Sequence, residues 1–142
     1  MVERSAKSIR KAQRNLDWAL ESKALFLERS NSLVELGFKT YQEYLISPFW
    51  KNIRTRVLKE AKDACRLCRR KAWQIHHVKY DLATMKGENI VTLVALCGEC
   101  HKLIEFGKRG RKASLPEANH RLRRFLRRER WDRKQLGYDP WK

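Results

Sequence analysis

Two cysteine knuckles, "CRLC" at 65–68 and "CGEC" at 97–100, limit what this chain can fold into more than any other feature. A Cys-x-x-Cys knuckle turns tightly enough to aim both sulfurs at one ion. Two knuckles therefore predict a tetrahedral zinc site of Cys65, Cys68, Cys97 and Cys100. The chain has no other cysteine. Free buried thiols or a redox pair are the competing readings, and in a reducing cytosol thiolate pairs of this type rarely serve as either. The 28 residues between the pairs exceed a minimal zinc ribbon, so a small subdomain must fit between them. Such a zinc is coordinatively closed: it contributes to folding and not to chemistry.

Between and just beyond the knuckles, "WQIHHV" and "NIVTLVAL" (89–96) read as strands, and "GECHKLIEF" has helical character. The stretch "KYDLATMKGE" joining the strands reads as a polar loop. Upstream, residues 5–29 space Ile9, Ala12, Leu16, Leu20 and Leu27 as the apolar face of a helix. "SNS" at 30–32 is expected to interrupt that helix, with a further turn over 33–36 closed by Gly37. Thr40 and Glu43 form a capping box for a short helix carrying Tyr41, Tyr44 and Leu45. Ser47-Pro48 starts another over about 48–62, with Phe49, Trp50, Ile53, Val57 and Ala61 inward. Downstream, Ser114 and Glu117 open a basic helix that Gly137 ends. The expected fold is α+β and mostly helical, in three parts: a helical extension (1–64), the zinc-bearing core (65–106) and a basic linker with helix (107–142).

Charge narrows the partners. The 142 residues carry a formal net charge of +17, and residues 107–142 hold thirteen basic side chains against four acidic ones. Internal pairing cannot neutralise such a segment, and its field favours nucleic acid, bound through phosphates and therefore salt-dependent. Lys108, Arg109, Arg111, Lys112, Arg121, Arg124 and Arg128 are the expected phosphate contacts, with Lys71, Lys79 and Arg66 nearer the core. Trp50, Trp73 and Tyr80 read as core, and Trp131 and Trp141 as surface. No apolar run approaches membrane-spanning length and no secretory signal is evident, so a soluble cytoplasmic protein with no membrane partner is expected.

Three of the four histidines, His76, His77 and His101, fall in the strand-and-helix unit, with Glu105 one turn beyond His101. An ion held by histidine and carboxylate beside an unligated histidine is a workable arrangement for phosphodiester hydrolysis. The stretch "CRLC…IHHVKYDLATMKGENIVTLVALCGECHKLIEF" resembles the HNH endonuclease family, in its four-cysteine zinc form. The resemblance covers 65–106 and extends to the helical lead-in "YQEYLISPFWKNIRTRVLKEAKDAC", as in phage and bacterial members. It implies a ββα-metal core with a structural Zn2+, a catalytic divalent ion (Mg2+ or Mn2+), duplex DNA as substrate, and products with 5′-phosphate and 3′-hydroxyl ends. It implies His77 as general base, and His76 and His101 as ligands of the catalytic ion. A histidine of ordinary pKa, about 6.5, is largely neutral at about pH 7.5–8 and ready for that role.

Two positions depart from the family. Its middle Asn stands five residues before the third cysteine, where this chain has Thr92; Asn89 lies three residues earlier. Either would have to orient the base. Glu105 stands where many relatives carry a further histidine, and can reach the same ion. A zinc-stabilised nucleic-acid-binding protein with an inactive nuclease site is the competing reading, and an RNA-directed nuclease a third. Nothing in the N-terminal pattern chooses between homodimerisation, a lid and a partner-binding role.

Overall fold

A computed structural model describes residues 2–106 and 110–135, without the side chains of residues 2–4 and 129–135. Among the described residues, six helices and two strands follow in the order α1 (Val2–Leu36), α2 (Tyr41–Ile46), α3 (Pro48–Glu60), β1 (Gln74–His77), α4 (Leu82–Met85), β2 (Leu93–Leu96), α5 (Gly98–Glu105) and α6 (Leu115–Gln135). The protein is α+β and mostly helical.

Helix α1 runs unbroken through 30–32, where an interruption was expected. The segment has no Gly or Pro, and Ser32 is buried, its hydroxyl donating to the Tyr80 carbonyl at 2.7 Å. A tertiary hydrogen bond thus holds a weak helix-forming stretch in the helix. The end comes at Gly37, whose φ of +81° suits the left-handed cap. Gly37 N–H donates to Val34 O and Phe38 N–H to Leu33 O, the paired bonds of a Schellman motif. The apolar stripe expected to face inward does not. Ile9, Leu16, Leu20 and Leu27 are exposed, and α1 instead turns Trp18, Leu25, Arg29, Ser32 and Leu33 toward the body.

The caps of the next two helices form as expected, with one shift. Thr40 Oγ1 accepts from Glu43 N–H, but Glu43 reaches back to Lys39 N–H and not to Thr40. Ser47 Oγ accepts from Trp50 N–H and Pro48 takes the first helical position. Trp50, Ile53 and Val57 are buried, while Phe49 is exposed. They join Leu33, Tyr44, Tyr80, Met85 and Leu93 in the first of two cores. Tyr44 is completely buried and its hydroxyl donates to Met85 O at 2.9 Å, satisfying the group that burial would otherwise penalise.

Strands β1 and β2 pair antiparallel, with His76 opposite Val94 and His77 opposite Leu93. Strand β2 is shorter than the apolar run suggests, because Asn89 N–H bonds to Ala83 O and Asn89 Oδ1 accepts from Val91 N–H, turning 89–91 into a loop. The connecting segment is not wholly loop. Asp81 caps the single turn α4, which drives Met85 into the core. Gly87 follows with φ +74°, and a Cβ there would lie 2.8 Å from Ile53 Cγ1, so this turn admits only glycine.

The second core surrounds the cysteines with Ala72, Ala95, Leu96, Ile104 and Leu122, the last contributed by α6. Tyr80 and Trp50 are core, as expected. Trp73 is not: it is 53% exposed, with its ring against Gly98 at the second knuckle. The Ser114 cap opens α6 by accepting from Glu117 N–H. Gly137 and Trp141 lie outside the described residues, as does the Trp131 side chain.

Candidate functional site

Both knuckles are built by local backbone geometry. Cys65 N–H donates to Arg70 O and Arg69 N–H to Cys65 O, with Arg69 at φ +67°. Cys97 is the N-cap of α5: its sulfur accepts from Cys100 N–H and its carbonyl from His101 N–H. A bond from Arg66 N–H to Ala95 O ties the first knuckle to β2. The four sulfurs all lie within 4.8 Å of one another. Burial pushes the Cys68 thiol up, but hydrogen bonds from Arg70 and from neighbouring thiols bring it down to about 6. Burial and the other cysteines push Cys100 up. Four thiols this close cannot all ionise without a cation among them. The donors, distances and surrounding core fit a structural zinc.

The histidines are arranged differently. Adjacent residues of a strand face opposite ways, and the two neighbours have separate surroundings. His76 is buried, with its ring 6.2 Å from that of His101. Its Nε2 lies 2.7 Å from Asn119 Oδ1. Asn119 Nδ2 donates to Val78 O at 3.0 Å, which fixes the amide, since a carbonyl can only accept. His76 Nε2 must then carry the proton, leaving Nδ1 as the lone-pair nitrogen. On α5, His101 Nε2 stands 3.3 Å from Glu105 Oε1. Burial lowers the pKa of both histidines, opposed by Asn119 and Glu105 at His76 and by Glu105 at His101.

His77 points into an aromatic enclosure. Its ring centroid is 4.7 Å from Trp50 and 5.5 Å from Tyr80, and Tyr41 Oη lies 3.3 Å from Nδ1. Burial, with His76 and Arg29 nearby, lowers its pKa to about 3. That replaces the ordinary value expected for a base, and the ring is neutral throughout the physiological range. Among the described residues, His77 Nε2 is the buried side-chain polar atom that has no hydrogen-bond partner.

Both histidines line a cleft of about 600 Å³, together with His101 and Glu105. Arg29, Arg54 and Lys112 bring positive charge to its walls. The Arg29 guanidinium sits over Tyr41 at 4.4 Å and Tyr80 at 5.4 Å, and Arg54 donates to Trp73 O. The sequence reading missed Arg29, Arg54, Tyr41 and Asn119. Each comes from a helix remote in sequence, and no local motif marks it.

Thr92 and Asn89 do not reach His77 in this structure. Thr92 Oγ1 bonds to Thr84 Oγ1 at 2.7 Å, and its carbonyl accepts from Val78 N–H. It pins the end of the hairpin just past His77 and leaves the ring to Tyr41. Asn89 is exposed in the loop. The second set of ligands also lacks the convergence of the first: among the described residues, the cysteines alone place three or more metal-binding atoms within 4.8 Å of one another.

Of the expected phosphate contacts, Lys71, Lys79, Arg111, Lys112, Arg124 and Arg128 are exposed. Arg121 is half-buried and donates to Ile104 O, which commits it partly to joining α6 to α5. Arg124 and Arg128 line a groove with Arg127, Phe125 and Phe106. Lys108 and Arg109 lie outside the described residues. No described helix is long and apolar enough to cross a membrane.

No family model matches the chain, and neither a curated protein nor a solved structure matches it.

Proposed function

We propose that the protein is a metal-dependent nucleic-acid hydrolase of the HNH type, cutting or nicking duplex DNA. The hairpin β1–β2 and helix α5 would be its ββα-metal core, and the cysteine cluster its zinc clamp. The observation that carries this reading is the cleft itself, lined by His76, His101 and Glu105, by His77 with its buried and unpartnered Nε2, and by the cationic Arg29, Arg54 and Lys112.

The donor chemistry fits a divalent ion held by His76 Nδ1, His101 and Glu105. Asn119 presents His76 in the required tautomer, and His101 Nε2 already faces a carboxylate oxygen. Such an ion would supply charge neutralisation at the phosphate and at the departing oxygen. The protein's own groups divide the rest. Arg29, Arg54 and Lys112 hold the phosphodiester backbone. His77 takes the proton from water through Nε2 once Trp50 and Tyr80 admit solvent to it. An unsatisfied buried nitrogen costs about 1–3 kcal/mol, a penalty that water or substrate would relieve. With a pKa near 3 in the closed enclosure, His77 is a weak base, and wetting raises its basicity.

A second reading is a zinc-stabilised nucleic-acid-binding protein without hydrolytic activity. The incomplete convergence of His76 with His101 and Glu105 favours it, as does the diversion of Thr92 to Thr84. A supercoiled-plasmid assay with magnesium, manganese and EDTA separates the two. Wild type should nick in a metal-dependent way. His101→Ala should lose at least about 100-fold of that activity, in line with the contribution of a catalytic ion, while zinc content and DNA binding persist. Tight binding with no cutting under any of these ions would replace the hydrolase by the binding protein.

A further inference from the structure

Helix α1 has two apolar faces. One meets the body through Trp18, Leu25, Leu33 and Leu36. At about 100° per residue, Ile9, Leu16, Leu20, Leu27 and Val34 fall on the opposite side. These five are between 54% and 77% exposed. They are separated by 7, 4, 7 and 7 residues, so all five fall on one seam of 3.5-residue spacing, whose intervening positions are Gln13, Lys23 and Ser30. An exposed apolar row of this kind is uncommon on a monomer's surface.

We propose that this row joins two copies of the chain as an antiparallel helix pair with its twofold axis near residue 18. Two observations select that occupant and that direction. First, the row is self-complementary about this point: Ile9 meets Leu27 of the partner subunit and Leu16 meets Leu20 of the partner subunit, and symmetry repeats both layers. Second, α1 changes sign along its length. Residues 5–15 carry four basic and no acidic side chains, while residues 16–36 carry two basic and four acidic. An antiparallel pair sets each basic half beside the partner's acidic half, and a parallel pair sets like against like. The same four acidic residues oppose a membrane surface of anionic lipid. The seam lies on the far side of α1 from the cleft, so dimerisation leaves the cleft open and presents two of them. The inference does not depend on what the cleft does.

Sedimentation equilibrium on the full, zinc-loaded chain tests it. Wild type should be dimeric at micromolar concentration. Leu16→Glu/Leu20→Glu should be monomeric with unchanged circular dichroism and zinc content, because both side chains are exposed. Direction is read by oxidative cross-linking. Leu16→Cys mixed with Leu20→Cys should give the disulfide-linked pair, and neither variant alone should. A monomeric wild type, with or without binding to anionic vesicles, overturns the proposal. So does a dimer that survives the double glutamate, or a Leu16→Cys chain that cross-links to itself.

Discussion

Cys97 and Cys100 open the same helix that carries His101, yet only the cysteines converge on a point. The sulfurs lie within 4.8 Å of one another, whereas the rings of His76 and His101 stand 6.2 Å apart. Each cysteine pair is brought together by a turn of four residues, whose closing hydrogen bonds reach no more than five positions along the chain, while Arg66 N–H to Ala95 O ties the first knuckle to β2. The pairing of His76 with His101 depends on how a strand packs against a helix, and Asn119 from α6 supplies the bond that holds His76 in place. Sites built from local turns are fixed by their spacing, and sites built across elements take their precision from tertiary contacts.

The largest expected effect lies on the cysteine side. Structural zinc contributes on the order of 10 kcal/mol in small domains, comparable with the whole stability of a typical domain. Cys97→Ser, or strong chelation, should release one zinc per chain and abolish cooperative thermal unfolding of the hairpin unit by circular dichroism. An unchanged melting curve in the metal-free protein would remove the structural role from the cluster.

A smaller effect is expected where a tertiary contact does the work of a motif. In wild type, long-range ¹⁵N–¹H NMR should show His76 protonated at Nε2. Asn119→Leu should mix the two tautomers and weaken Mn2+ binding by about 10–100-fold, the usual cost of losing a supporting contact to a metal ligand. Asn119→Asp keeps an acceptor for that proton and should keep the tautomer. If Asn119→Leu leaves the tautomer unchanged, Asn119 does not position His76.

The smallest effect concerns His77. Its folded pKa of about 3 lies below the ordinary 6.5, so between those values the unfolded chain takes up a proton that the folded chain does not. The contribution to stability is therefore fully present above about pH 6.5 and declines as pH falls toward 3, by at most about 1.4 kcal/mol per pH unit. His76 and His101 are shifted in the same direction and add to the slope. Urea unfolding at pH 7 and pH 5 should show His77→Phe less acid-sensitive than wild type and at least as stable at pH 7, since the aromatic enclosure accepts a phenyl ring. An unchanged slope would mean that His77 is not held neutral.

The sequence by itself determined the cysteine cluster, the two strands followed by a helix, the caps at Thr40, Ser47 and Ser114, and the concentration of positive charge beyond residue 106. All of these rest on spacing within a few residues or on composition. Tertiary structure decided the rest. Ser32 carries α1 through its expected break because Tyr80 offers a carbonyl 48 residues away. The apolar row of α1 reads as a core face, but periodicity cannot tell a face buried against the body from one left for a partner. "HHVKY" marks two histidines without saying that alternation along the strand gives one to Asn119 and the other to Trp50 and Tyr80. Those environments are assembled from helices distant in the chain, and local pattern carries no record of which distant side chains will meet.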